Sequence, residues 1–121
     1  MKTVLLVEDD PFLVEIYNTK LKEAGFSVEI ATDGEEALKK LNDAIFDLVL
    51  LDIVLPVIDG WEFIQKIKTD DRFKSLKIVV LSNLGRKEEI ERGVKLGVAK
   101  YLVKAHHTPS EVINEVRELL E

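Results

Sequence analysis

Three unbroken apolar runs constrain this chain more than any other feature: Val4-Leu5-Leu6-Val7, Leu48-Val49-Leu50-Leu51 and Ile78-Val79-Val80-Leu81. They do not alternate with polar residues, so a sheet with one wet face does not suit them. Strands covered by helices on both faces read this way, and that covering is the mark of a parallel sheet. Val28-Glu29-Ile30 alternates and Tyr101-Leu102-Val103 is short, so these two suit the edges. Helical periodicity fills the intervals, which predicts a (βα)5 chain of the doubly wound, flavodoxin-like kind. Five parallel strands in the order 2-1-3-4-5 would put strands one and three side by side in the middle, with helices on both faces.

Local signals set the helix boundaries. Asp10 before Pro11 reads as an N-cap followed by proline at the first helical position. Leu13, Ile16, Tyr17, Leu21 and Ala24 then share a face, and Gly25 ends the helix. Asp33 with Glu36, and Thr108 with Glu111, read as capping boxes. Ala37, Leu38 and Leu41 follow the first box. Val112, Ile113, Val116, Leu119 and Leu120 follow the second. A third helix is expected near Gly60, burying Phe63, Ile64 and Ile67. The fourth, around residues 87–96, has a thin apolar face of Ile90 and Val94, and Gly93 in its interior costs about 1 kcal/mol relative to alanine.

Composition narrows the function classes. A length of 121 residues suits one domain, so residues 1–121 are expected to form a single domain with no output domain after Glu121. There is no cysteine, which removes disulfides and thiolate metal sites. A net charge of −6 argues against direct nucleic-acid binding. The apolar stretch before Glu8 is too short for a signal peptide or a membrane span, so no membrane insertion and a cytoplasmic location are expected.

Polar residues gather where the apolar runs stop: Glu8-Asp9-Asp10, then Asp52, Ser82-Asn83 and Lys104. In an open parallel sheet these are carboxyl ends of strands and converge on one rim. Three carboxylates there disfavour one another's ionisation. A hard divalent cation relieves this, Mg²⁺ or Mn²⁺ rather than zinc, because every donor is oxygen. Glu8, Asp9 and Asp52 are the candidate ligands, with the backbone carbonyl of Val54 as a further one. A carboxylate is also a competent nucleophile for phosphorus. With Asp52 in that role, the Lys104 ammonium and Ser82 hydroxyl would meet phosphoryl oxygens and spread the charge.

The segments LLVEDD at 5–10, LLDIVLPVIDGWE at 50–62, VVLSN at 79–83 and YLVK at 101–104 resemble, in order and spacing, a response-regulator receiver domain of the stand-alone type, over essentially the whole chain. The resemblance implies that Glu8 and Asp9 form the acidic pair for Mg²⁺. It implies that Asp52 accepts a phosphoryl group from the phosphohistidine of a sensor histidine kinase or histidine phosphotransfer protein. Ser82 would be the switch hydroxyl, Lys104 the lysine on the phosphoryl oxygens, and Tyr101 the aromatic switch. The face of helix four, strand five and helix five would then change and signal to a downstream protein partner. It leaves open a homodimer formed on phosphorylation. The chain would catalyse its own phosphotransfer and slow dephosphorylation without being an enzyme in the ordinary sense.

Several residues depart from the family pattern. Ala105 follows Lys104 where relatives carry proline, commonly cis, which bears on whether that bond is cis or trans here. Asn83 stands where a very small residue is preferred. Val54 and Leu84 are apolar where polar groups help to place the attacking water, which predicts a long-lived phosphorylated state.

Other readings compete. A phosphatase with an aspartate nucleophile should carry a second acid two residues on, where this chain has Val54. A flavin-binding module should not place Glu8-Asp9-Asp10 at a phosphate. A phosphorelay intermediate and a degenerate receiver acting only as an interaction module are the nearest alternatives. Asp10 is an N-cap, Asp59-Gly60 a turn and helix cap, adjacent His106 and His107 rarely share an ion, and Trp61 suits partial burial or a partner contact.

Overall fold

The computed structural model describes residues 1–121. Five strands, β1 (Thr3–Val7), β2 (Ser27–Ala31), β3 (Leu48–Leu51), β4 (Lys77–Ser82) and β5 (Lys100–Val103), alternate with five helices. The helices are α1 (Pro11–Glu23), α2 (Gly34–Asp43), α3 (Gly60–Lys68), α4 (Lys87–Lys95) and α5 (Pro109–Leu120). All strand pairs are parallel, in the order β2-β1-β3-β4-β5. The continuous apolar runs are the three inner strands and the two weaker segments are the edges, as expected.

Alternation along the inner strands divides the core into two layers. Leu5, Val7, Val49, Leu51, Ile78 and Val80 face α2 and α3, meeting Ala37, Leu41, Phe63, Ile64 and Ile67. Val4, Leu6, Leu48, Leu50, Val79 and Leu81 face α1 and α5, meeting Tyr17, Leu21, Val112, Ile113 and Val116.

The caps follow the local chemistry. Asp10 accepts from the Phe12 and Leu13 amides at 2.9 and 3.4 Å. Asp59 accepts from Glu62 N–H at 3.0 Å. The Thr108–Glu111 box is reciprocal, at 3.2 and 2.7 Å. At α2 the return bond shifts by one residue. Asp33 accepts from Glu36 N–H at 2.7 Å, but Glu36 Oε1 accepts from Thr32 N–H rather than from Asp33. Gly25 takes φ +95°, the left-handed conformation that stops α1 at no steric cost.

Two expectations about faces need correction. Ile16 is 40% exposed, on the flank of α1 rather than in its buried stripe. Val94 is 64% exposed, and the residue that α4 buries is Gly93. Two apolar residues four apart do not fix a face when the element touches the sheet through only one turn.

Candidate functional site

Strand register explains why the polar ends meet. Val7 is level with Leu51, Leu51 with Val80, and Val80 with Tyr101. Glu8 and Asp52 therefore leave the sheet side by side, Ser82 stands one residue beyond that level and Lys104 two. The ladder continues one step into the loop, where Asp52 N–H donates to the Val7 carbonyl at 3.0 Å. Glu8, Asp52 and Ser82 are the buried polar residues of the chain, and all three lie on this rim. Burying polar groups costs free energy unless each finds a partner, so such a concentration needs a compensating network.

That network centres on Lys104. Its Nζ donates to Glu8 Oε1 at 2.7 Å and to Asp52 Oδ2 at 2.9 Å. Glu8 Oε2 accepts from Asp10 N–H at 3.1 Å, and Asp52 Oδ1 from Val54 N–H at 3.3 Å. Burial pulls the Lys104 ammonium down, but hydrogen bonds to Glu8 and Asp52, and then their charges, outweigh it and leave its pKa raised. Burial pushes the Glu8 carboxyl up, against the hydrogen bond from Lys104 and with the charge of Asp52. One ammonium thus serves two buried carboxylates.

Asp9 is exposed and completes the acidic group. One carboxylate oxygen from each of Glu8, Asp9 and Asp52 lies within 4.8 Å of the others. Hard oxygen donors, two buried and one open to water, are the set that suits a magnesium-sized cation retaining several waters. Val54 directs its side chain outward, 60% exposed, in the loop that follows Asp52.

The loop itself is shaped by Gly60 and Val57. Gly60 N–H donates to the Ile53 carbonyl at 2.8 Å. A Cβ on Gly60 would lie 2.6 Å from Ile53 Cα and 2.8 Å from the Asp52 carbonyl oxygen, so only glycine lets α3 start this close to the site. Val57 has φ +68°, and Ile58 N–H donates to the Pro56 carbonyl at 2.8 Å. A three-residue turn with positive φ at a β-branched residue is strained.

On the far side of Ser82, Leu84 N–H donates to Ser82 Oγ at 3.3 Å, and the Tyr101 hydroxyl donates to the Leu84 carbonyl. Leu84 tucks its side chain against the core. The Lys104–Ala105 bond is trans, as are all peptide bonds in the chain, and Lys104–His106 forms a short 3₁₀ turn. Asn83 is exposed beside the site. His106 is exposed and His107 half-buried, and neither belongs to the acidic group. Trp61 is 9% exposed, on the core side of the two readings open for it.

The expected residues Glu8, Asp9, Asp52 and Lys104 are thus brought together, with Ser82 on the neighbouring strand end. Two participants had no signal in the sequence. The Leu84 carbonyl receives Tyr101, and a backbone acceptor leaves no trace in residue type. The Arg92 guanidinium lies 4.3 Å from the Trp61 ring centroid. The pair Trp61 and Arg92 is readable only once α3 and α4 are known to be neighbours.

Residues 4–117 match the family model of the response regulator receiver domain. The chain is 32% identical over 117 residues to a probable transcriptional regulator, ycf29, of Porphyra purpurea, covering 97% of this chain and 56% of that protein. It is 34% identical over 117 residues to the transcriptional regulatory protein CusR of Escherichia coli, covering 97% and 50%. The chain therefore spans about half the length of these curated relatives. Among solved structures it superposes on the chemotaxis protein CheY4 of Vibrio cholerae with a TM-score of 0.89 at 30% identity, covering 98% of each chain. It superposes on the response regulator TrrA of Thermotoga maritima, solved in complex with Mg(2+)-BeF, with a TM-score of 0.85 at 33% identity, covering 98% of this chain and 99% of that one. No helix is long and apolar enough to cross a membrane. With the fold, the rim of acids and the match over nearly its whole length in agreement, the chain belongs to the response regulator receiver family of two-component signalling.

Proposed function

We propose that this chain is a phosphorylation switch in which Asp52 accepts a phosphoryl group from a partner's phosphohistidine. The observation that carries the reading is the Lys104 ammonium held at 2.9 Å from Asp52 Oδ2 and 2.7 Å from Glu8 Oε1 on a buried rim. The nucleophile is a carboxylate oxygen with no proton to remove, so no general base is needed. An Asp52 oxygen attacks phosphorus, the O–P bond forms, and the P–N bond of the donor breaks. The imidazole leaves with the electron pair and is neutral with its other nitrogen protonated. Lys104 then exchanges a carboxylate oxygen for a phosphoryl oxygen, and Ser82 offers its hydroxyl to another. Positioning and charge neutralisation supply most of the catalysis. Mg²⁺ held by Glu8, Asp9, Asp52 and the Val54 carbonyl would neutralise the remaining phosphoryl charge.

Dephosphorylation needs a water in line with the O–P bond. The outward Val54 and the inward Leu84 present no polar side-chain group to hold it, so the acyl phosphate is long-lived. The partners are a histidine kinase or phosphotransfer protein and a downstream protein reading the α4–β5–α5 face, in the cytoplasm.

Incubation with acetyl phosphate and Mg²⁺, followed by intact mass, tests the reading. A single phosphoryl adduct is expected on the wild type and none on Asp52→Asn or without metal. No adduct under any condition, including with a panel of histidine kinases, would overturn it. Val54→Asn is expected to speed loss of the phosphoryl group, and an unchanged or slower loss would count against the long lifetime.

A further inference from the structure

Tyr101 is held by side chains that none of the rim chemistry requires. Its ring points to the α3–α4 side of the sheet, opposite to its neighbour Leu102. Gly93 of α4 meets the ring edge, and a Cβ there would lie 2.8 Å from Tyr101 Cδ2. Trp61 of α3 stacks on the ring, with centroids 6.4 Å apart and planes inclined at 27°. The residue before Gly93 is Arg92, whose guanidinium lies over the Trp61 ring. Adjacent residues of α4 therefore touch both aromatic rings. The Tyr101 hydroxyl reaches the Leu84 carbonyl, two residues beyond Ser82. Gly85, next in the chain, is closed against Val103, where a Cβ would lie 2.9 Å from Cγ1.

We propose that Gly93, Trp61 and Arg92 are positioning residues for the Tyr101 switch, forming a slot in which Gly93 clears the ring edge, Trp61 stacks on the ring and Arg92 clamps Trp61 to α4. The inference rests on the reading of Tyr101 as the switch and adds the parts that set its rest position. Gly93 is thus a clearance and not merely a weak point of α4, because any larger side chain competes with the tyrosine for one space. Trp61 gives the switch a second aromatic on a different helix. That helix starts at Gly60, against the backbone of Asp52 and Ile53, so α3 and α4 hold the same ring from two directions.

The test uses protein labelled with 3-fluorotyrosine, whose two tyrosines, Tyr17 and Tyr101, give two fluorine resonances. No phosphoryl donor is present. Gly93→Ala is expected to move the Tyr101 line toward the position of free fluorotyrosine and to leave Tyr17 in place. Alanine is the better helix former, so a purely structural Gly93 would leave the line where it is and firm the helix. Arg92→Gln, at an exposed position, is expected to produce a smaller shift in the same direction, and Arg92→Lys to recover part of it. A Tyr101 line unmoved in both Gly93→Ala and Arg92→Gln would overturn the slot. Adding acetyl phosphate and Mg²⁺ then separates the two claims. An emission change at Trp61, the single tryptophan, is expected in the wild type and is expected to be reduced in Gly93→Ala. If the wild type takes no phosphoryl group, the switch reading fails while the fluorine result still judges the slot. An emission change of full size in Gly93→Ala would show that the slot does not position the switch.

Discussion

Helices α3 and α4 are both nine residues long and both lie on the same side of the sheet, yet they are built to opposite ends. α3 buries Gly60, Trp61, Phe63, Ile64 and Ile67, whereas α4 buries Gly93 alone. The first is fixed by hydrophobic area. The second rests on a glycine, an aromatic edge and a cation over a ring, contacts with little apolar area behind them. Local stability follows that difference, because segments with few buried apolar contacts open at low free-energy cost. The chain thus places its firm helix directly after Asp52 and its loose helix after Ser82. A displacement at the rim would meet a firm helix on the α3 side and a loose one on the α4 side, the asymmetry that the proposed switch requires.

The sharpest way to break the comparison is truncation. Phe63→Ala is expected to cost about 3–5 kcal/mol, the range for a fully buried phenylalanine. Ile90→Ala, on the half-buried flank of α4, is expected to cost about 1 kcal/mol or less. Urea unfolding of the two variants measures both, and equal losses would mean that α4 is packed as firmly as α3. Native-state amide exchange sharpens the same point residue by residue. Protection within residues 90–94 is expected to be at least about tenfold lower than within residues 63–67.

The smallest effect is read at high pH. Burial, then the charges of Glu89 and Asp52, push the Tyr101 phenol up to about 12, from its ordinary value of 10.0. A raised pKa means that the folded state favours the neutral phenol. Its contribution to stability is therefore complete below pH 10 and disappears as pH rises through about 12. Ultraviolet titration should show this late ionisation, and Tyr101→Phe should lack it. A phenol that ionises at its ordinary value would mean that α4 does not cover the ring.

Much of this was legible in the sequence because it rests on local patterns. The inner strands announce themselves as unbroken apolar runs, and Asp10, Asp59 and Thr108 cap the helices that follow them. The rim residues follow from topology, since a parallel sheet brings the ends of its strands together whatever their separation in the chain. What escaped depends on contacts between elements. Gly93 reads as a helix breaker until Tyr101, on the next strand, is seen against it. Val94 looks like core because two apolar residues suggest a face, but nothing lies opposite it. Val57 gives no hint of positive φ, because a β-branched residue is the last to suggest it. The turn is closed by the Ile58 N–H on the Pro56 carbonyl, backbone groups that residue type does not reveal.

The link from Lys104 to Glu8 spans 96 positions of the chain, and this has a consequence for how the molecule comes into being. β1, β2 and β3 are contiguous in the sheet and early in the sequence, so Glu8 and Asp52 are both synthesised well before β5. A domain of this size folds as a unit rather than strand by strand. Any partial chain that ends before Lys104 has the acids without their ammonium. The counter-charge lies just after the edge strand that comes last in the sequence, so the rim is balanced only when the sheet is complete. A chain that stops before β5 lacks both the edge strand and the ammonium that joins Glu8 and Asp52 on the rim.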